Sequence, residues 1–382
     1  MLILSLFFST FAFAQNNSAI DKTFITKNVA KKAAQSFVKN SRYSSEWSKG
    51  TLKFQSLMYD LNDKVSGYYF TINDDTDATI GYVLVSASKN LPAILQYGQG
   101  QLYGNDDKNI EQGNKFYYLG AFKFLFADNA LNAKAKFNKA KLEALKSLKE
   151  KGLEGTEKYI KTKNYVLKDL EKSSTHEKGW QELLSPQTNT ITAITSGGQE
   201  LSVSRMWQRT SGVDNPNSAC GPTTGAMISN YYKSLGYSVR GSSNYGGDAE
   251  FINHMYFDMN TDIFGTFVGN FGNGLVNHLN GLYLPSSPWY ELRYDGVGNY
   301  PEYESAIMNN RPVGIMSDLY MEGGSSLESW HWIVGVGYDY GAGDEAYFGI
   351  KDPDGGQYNI GTHWHVWTVN DQDMTFVVTD YN

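Results

Sequence analysis

The sequence has one cysteine, Cys220, nine prolines, and only 19 % charged residues over 382 positions. A single thiol forms no disulfide within its own chain, so the disulfide-stapled scaffold class is excluded. Basic charge is scarce where a compact C-terminal half should lie: residues 201–382 carry 7 Lys and Arg against 20 Asp and Glu, net −13, while residues 1–200 carry +6. An acidic half of this kind lacks the basic footprint that nucleic-acid binding requires. No apolar run reaches the roughly 20 residues that a spanning helix needs, and none is expected to cross a membrane. What is abundant is apolar and aromatic surface (41 % and 14 %) together with 38 glycines. Sizeable cores with many tight turns are implied, and the length suits two domains with connecting segments.

The first 14 residues, MLILSLFFSTFAFA, form an apolar run too short to span a bilayer. They end in Ala12-Phe13-Ala14, a small-x-small cleavage pattern, before polar Gln15-Asn16-Asn17. The run reads as a signal peptide over 1–14, although no Lys or Arg precedes it. Export, to the cell exterior or periplasm, is therefore expected. A lone thiol is an oxidation liability there, and its presence calls for a chemical reason.

Residues 28–40 predict an amphipathic helix with Val29, Ala33, Phe37 and Val38 on one side. Strand-like runs come next at 53–58, 67–72 and 81–87, the last two separated by the acidic turn 73–77. Between 116 and 172 the content of Lys, Ala, Leu and Glu predicts long helices, as in 133–151. Residues 173–200 are polar, with Pro186 and Gly197-Gly198, and read as an exposed linker. Beyond it, 220–236 predicts one helix with Pro222 in its first turn and Gly236 as its C-terminal cap. Met227, Tyr231 and Leu235 recur along it every four residues. A second helix is expected at 301–310, and strands at 313–317, 331–338, 346–351, 365–369 and 374–379. The boundaries expected are thus 1–14, 15–172 as a small α+β domain with a helical extension, 173–200, and 201–382 as a helix-then-antiparallel-sheet domain, α+β overall.

Thiolate chemistry needs a cysteine with a lowered pKa, a base beside it and donors for a developing oxyanion. Cys220 stands at the start of its helix, where free N–H groups and the dipole favour a negative sulfur. His331 opens the apolar run His-Trp-Ile-Val-Gly-Val-Gly-Tyr, where a sheet edge can hold an imidazole facing a cleft. Asp352, in Lys351-Asp-Pro-Asp-Gly-Gly, comes after the next strand and can hold that imidazole in its useful tautomer, with Asp354 as the competing carboxylate. Gln208 offers a side-chain amide to the oxyanion beside the backbone N–H of Cys220. His363 and His365 would share one strand face as metal ligands can, but no third ligand accompanies them. Asp352–Gly356 and Asn73–Asp77 match no full calcium loop. No cofactor and no metal are expected. Tyr256, Tyr283, Tyr290, Tyr294, Tyr300 and Trp289 are read mainly as packing residues, with a peptide groove as the alternative.

Trp207-Gln208, then Asn217-Ser-Ala-Cys220-Gly-Pro-Thr-Thr, then the His331 run and Asp352-Pro, resemble the papain-like peptidases related to the bacteriocin-leader-processing peptidases. Those use Cys, His, Asp and an oxyanion Gln in this chain order, which implies these roles for Cys220, His331, Asp352 and Gln208. The Gln–Cys gap is longer here than in the transporter-linked members. The first half, through 30–38, Gly81-Tyr-Val-Leu-Val-Ser-Ala-Ser and Pro92-Ala-Ile-Leu-Gln-Tyr-Gly, is similar to the inhibitory prosegments of streptopain-type peptidases. That resemblance implies that the first half blocks the cleft until it is cut away. The expectation is a secreted cysteine endopeptidase made as an inactive precursor, with a peptide or protein substrate and its own prodomain as partners. Two alternatives stand beside it: a transglutaminase-like acyl transfer by the same triad, and a non-catalytic binding protein on this scaffold.

Overall fold

The computed structural model describes residues 22–102, 109–110, 112–150, 174–185, 197–279, 289–293, 299–317, 330–356, 361–368 and 374–379. The signal-peptide expectation over 1–14 lies outside these residues.

The first half begins with helix α1 (Lys27–Asn40), whose Ala30, Ala33, Ala34, Phe37 and Val38 are buried while its lysines face water. A short helix α2 (Ser44–Trp47) leads into β1 (Thr51–Tyr59), β2 (Val65–Asn73), β3 (Thr79–Ser86) and β4 (Ile94–Gln99), an antiparallel run in sequence order. Aspartates make its first two turns. Asp60 Oδ1 accepts the N–H groups of Asn62 and Lys64, and Asp74 Oδ1 those of Thr76 and Ala78. Each turn then closes through an aspartate at positive φ, Asp63 at 60° and Asp77 at 70°. An Asp side chain that bonds to the backbone two residues on, and tolerates the left-handed region, is the residue type such turns select.

The expected helices over 116–172 do not begin where the composition placed them. Residues 115–127 form a hairpin, β5 (Lys115–Tyr118) and β6 (Phe124–Ala127). Phe116, Phe124 and Phe126 pack together there, centroids 5.3 to 6.2 Å apart. The aromatic density of this segment favours a pleated, buried surface, and the Lys- and Ala-rich composition belongs to the next element, α3 (Ala130–Glu150). Residues 151–173 lie outside the described residues.

The exposed linker expected at 173–200 is also corrected in part. Helix α4 (Ser174–Leu184) buries His176, Trp180 and Leu183. Trp180 Nε1 donates to Leu91 O at 3.0 Å, and His176 meets Glu345 in the interior. A stripe at i, i+4 and i+7 was hidden by the polar residues around it. β7 (Gln199–Glu200) then pairs with a strand of the second half.

That half starts with α5 (Cys220–Ser234), matching the expected helix, with Gly236 at φ 90° behind it. Met227 and Tyr231 are buried as their spacing implies, whereas Leu235 is exposed. Helices α6 (Ser242–Tyr245), α7 (Asp248–Asp258) and α8 (Val268–His278) come next, none foreseen from the sequence, then strand β8 (Trp289–Arg293) and the expected helix α9 (Tyr300–Met308). The remaining strands are β9 (Val313–Ser317), β10 (His331–Tyr340), β11 (Ala346–Lys351), β12 (His363–Val366) and β13 (Met374–Thr379). β12 thus starts two residues earlier than expected, because its register is set on both sides: His363 lies opposite Ile350 of β11 and Gly98 of β4.

The β4–β12 pairing joins the halves. One sheet runs β6-β5-β1-β2-β3-β4-β12-β11-β10-β9-β13-β8, antiparallel except between β1 and β5. The chain is α+β, as expected, with α5 laid across β10 in the second half and α1 over β2 and β3 in the first. Among the described residues no helix is long and apolar enough to cross a membrane.

Candidate active site

Cys220 is the first residue of α5, and Ala219 is its N-cap. The first N–H groups of a helix have no intrahelical acceptor, so Cys220 stands at the positive end of the dipole, although Pro222 has no N–H and that of Thr223 donates to Ala219 O at 2.9 Å. The lead-in is held from two sides. Ser218 N donates to Asn215 O at 3.1 Å, and the Ser218 hydroxyl meets that of Tyr256, on α7, at 2.9 Å. The next residue, Gly221, allows a close approach. A Cβ there would overlap Thr266 Oγ1 and sit 3.3 Å from the Trp332 ring on β10.

His331 is the first residue of β10 and is wholly buried. Its Nε2 lies 2.8 Å from Asp352 Oδ1. A carboxylate only accepts, so Nε2 carries the proton and the tautomer leaves Nδ1 with a lone pair. The same Oδ1 accepts the Asp354 N–H at 2.7 Å, which fixes the carboxylate as the carboxylate fixes the ring. The structure therefore separates the two candidate carboxylates. Asp354 turns away and takes a bidentate pair from Arg209, at 2.6 and 2.7 Å. The oxygen ligands of 352–356 are thus engaged by His331 and Arg209, and Asp74 and Asp77 of the other acidic loop by its own turn and by Lys53.

Gln208 is buried. Its backbone N–H donates to Pro353 O at 3.0 Å and its Nε2 to Pro216 O at 2.9 Å, while Oε1 has no hydrogen-bond partner among the described residues. The facing carbonyl of Pro216 sets the amide this way round. The second Nε2 proton is left for another acceptor. Arg209 was not singled out from the sequence, yet it links the same two loops. Besides Asp354 it donates to Asn217 Oδ1 at 2.7 Å, three residues before Cys220. Arg205 adds a bond to Asp352 O at 2.7 Å. An arginine one residue past a candidate oxyanion Gln was the available signal, but nothing in its local pattern reveals a partner 145 residues away.

His363 and His365 share a face of β12, as expected, but they lie in the interior against the first half. His363 Nδ1 meets the Tyr82 hydroxyl at 2.7 Å, and the His365 ring lies 4.6 Å from that of Phe122. Burial, first of all, pushes His363 down to about 4 and His365 well below the usual imidazole range. Of the expected packing aromatics, Tyr300 is buried and bonds to the carbonyls of Asp339 and Tyr347, and Trp289 covers Gly272. Tyr290 is exposed, and Tyr283 and Tyr294 lie outside the described residues.

All four candidate residues are shielded from solvent: Cys220 is 3 % exposed, His331 and Gln208 0 %, and Asp352 5 %. The thiol is thus buried in this state of the chain. Ala121 and Phe122, between β5 and β6, belong to the same buried cluster as Cys220, Trp332 and Phe348. Phe122 takes φ 61°, a left-handed conformation unusual for an aromatic residue, to turn its ring into that cluster.

Residues 22–118 match the Spi protease inhibitor family, and residues 200–371 match the Peptidase_C39 like family. Both resemblances read from the sequence are thereby matched, and together they support a cysteine peptidase that carries its own propeptide-like domain. No curated protein matches the chain.

Proposed function

We propose that the chain is an exported cysteine endopeptidase in its precursor form, with Cys220 as nucleophile, His331 as base, Asp352 as the group that orients His331, and Gln208 as oxyanion donor. The observation that carries this reading is the His331 Nε2–Asp352 Oδ1 bond at 2.8 Å, on a strand crossed by the helix that begins with Cys220. In the proposed reaction the thiol proton passes to His331 Nδ1 and the thiolate attacks the carbonyl carbon of a peptide bond. Negative charge on the carbonyl oxygen is met by the N–H of Cys220 and the second Nε2 proton of Gln208. His331 returns the proton to the leaving amine, and water then releases the acyl group from sulfur. No step requires a metal or cofactor.

The precursor reading rests on burial. Residues 15–172 would act as the inhibitor, held by the β4–β12 pairing and by Phe122, and cleavage within 173–200 would release them. Within that stretch, 186–196 is the segment favoured, because α4 and β7 on either side are packed.

The test is mass spectrometry of purified full-length protein over time beside its variants, with peptide hydrolysis measured after processing by an added protease. Cys220→Ala and His331→Ala should each lower hydrolysis at least about a thousandfold while leaving the fold intact. Asp352→Asn should cost about tenfold to a hundredfold, since Asn keeps an oxygen to accept from Nε2. Activity within tenfold of wild type for Cys220→Ala or His331→Ala overturns the assignment, and a larger loss in Asp354→Asn than in Asp352→Asn moves the orienting role. Product made only when an amine is added would favour acyl transfer over hydrolysis.

A further inference from the structure

Beside α5, α7 and α8 bring together three side chains that the proposed reaction does not use. His254 and Asp258 are one turn apart on α7, and His278 ends α8. His254 Nε2 and His278 Nδ1 each lie 3.0 Å from Asp258 Oδ2, and the three atoms all lie within 4.8 Å of one another.

The hydrogen bonding around His278 makes this grouping chemically unusual. Its Nε2 lies 2.8 Å from the Arg240 carbonyl oxygen, which also accepts from the Ser229 hydroxyl. A carbonyl oxygen only accepts, so His278 Nε2 carries a proton. Its Nδ1 lies at hydrogen-bond distance, 3.0 Å, from Asp258 Oδ2, a contact that a proton on Nδ1 satisfies in the doubly protonated ring and that the lone pair of the neutral ring leaves to a cation. His254 faces the same oxygen from the other side: its Nε2 is 3.0 Å away, and among the described residues that buried nitrogen makes no hydrogen bond. Two imidazole nitrogens thus converge on one carboxylate oxygen, and the His254 nitrogen is left unsatisfied there. A shared cation would engage all three atoms.

We propose that His254 Nε2, Asp258 Oδ2 and His278 Nδ1 bind a divalent transition-metal ion of the zinc class. Two imidazoles and a carboxylate are a ligand set that suits zinc. Bonds of about 2.0–2.1 Å in a tetrahedral arrangement put ligand atoms about 3.3 Å apart, so the observed spacings close with small side-chain rotations. His278 donates its other ring proton to a backbone carbonyl, the support that orients an imidazole ligand. The Tyr245 ring stacks on His254 at 4.3 Å and limits its rotation. His278 is fully buried, while the side chains of Asp258 and His254 are 20 % and 29 % exposed, so an ion can enter and keep water in its fourth position. The Arg240 guanidinium opposes a cation here, but it lies over the Tyr245 ring, 5.5 Å from its centroid. Among the described residues the ion-pair partners of Asp258 are the two imidazoles.

The ion would be structural. It would tie α7 to α8 beside α5, where Met255 and Met259 pack on Gly225. A chain with one cysteine has no disulfide to serve that end.

The experiment uses untagged full-length protein carrying Cys220→Ala, which removes the thiolate as a competing ligand, after stripping with EDTA and dialysis. Zinc is titrated by calorimetry, bound metal is counted by elemental analysis, and the melting temperature is followed. One zinc per chain is expected, with a rise in melting temperature, and His254→Ala and Asp258→Asn should each weaken binding by about tenfold or more. His254 is partly exposed, so its variant is expected to fold even if a His278 variant does not. Failure to take up zinc, or uptake with unchanged affinity in His254→Ala, overturns the proposal.

Discussion

Asp352 and Asp354 lie two residues apart on one turn, and at the level of single residues their surroundings assign them different work. The first faces an imidazole that needs an acceptor, and the second a guanidinium that needs a planar pair of oxygens. Gly221 shows the same dependence on a neighbour. Alanine is favoured over glycine in a helix by about 1 kcal/mol. Here the added methyl would be forced into Thr266, whose hydroxyl is already held by Thr261 at 2.8 Å. Overpacking of this kind costs about 1–3 kcal/mol, so the clash should win. Gly221→Ala is expected to lower stability by up to about 2 kcal/mol, read from urea denaturation of the Cys220→Ala background. A stabilised variant would show that α5 can shift off Thr266 freely.

Among the elements, the contact between β4 and β12 matters most for the precursor. Around it the halves exchange specific bonds as well as backbone pairing. Tyr97 donates to Asp339, the Tyr43 hydroxyl accepts from Trp364 Nε1 at 2.9 Å, and Tyr347 donates to Ile94 O at 2.7 Å. Arg42 lies over the Trp364 ring at 4.0 Å and within 3.6 Å of Asp339 and 3.7 Å of Glu200. Arg42, of the basic first half, thus meets the acidic second half at Asp339, and aromatic packing surrounds the contact. Burial raises Asp339 above the usual carboxylate range, with Arg42 the first of the groups opposing that rise. Arg42→Ala would leave this carboxylate in the interior with the Tyr97 hydroxyl and without its cation. The cost should be about 2 kcal/mol, below that of breaking a fully buried pair because the pair is not hydrogen-bonded. The readout is the denaturation midpoint of the Cys220→Ala precursor; a midpoint unchanged by Arg42→Ala would mean that aromatic packing alone holds the halves.

For the whole molecule, two imidazoles at that junction make its stability depend on pH. His363 sits at about 4 when folded against 6.5 when free, and its shift is set by burial, with Arg205 and Lys351 adding to it and Asp352 opposing it. A base with a lowered folded pKa binds fewer protons in the folded state. Its contribution is therefore complete above pH 6.5 and is lost as pH falls toward 4, by about 3 kcal/mol at that limit. His365 acts in the same direction. Hydrogen exchange of the Cys220→Ala precursor, corrected for intrinsic rates, should show protection of β4 and β12 falling between about pH 6.5 and 4.5, and falling less in His363→Gln. Protection that does not change over this range would show that neither imidazole gains a proton when the halves part.

The sequence by itself determined the elements whose signals are local. The α1 stripe, the Asp-bearing turns, the helix that starts at Cys220 and the strands Val313–Ser317, Ala346–Lys351 and Met374–Thr379 arise from periodicity, turn chemistry and capping, which act within a few residues. The candidate residues Cys220, His331, Asp352 and Gln208 stand out in the sequence for the same reason, each in a distinctive short context. Tertiary structure alone decided which carboxylate meets His331, that Arg209 links the loops before Cys220 and after Asp352, that α4 is packed, and that β4 and β12 make one sheet of two halves. Those outcomes depend on partners tens to hundreds of residues away. A hydrogen bond or a strand register is set by which groups the folded chain brings within about 3 Å of each other, and no local pattern carries that distance.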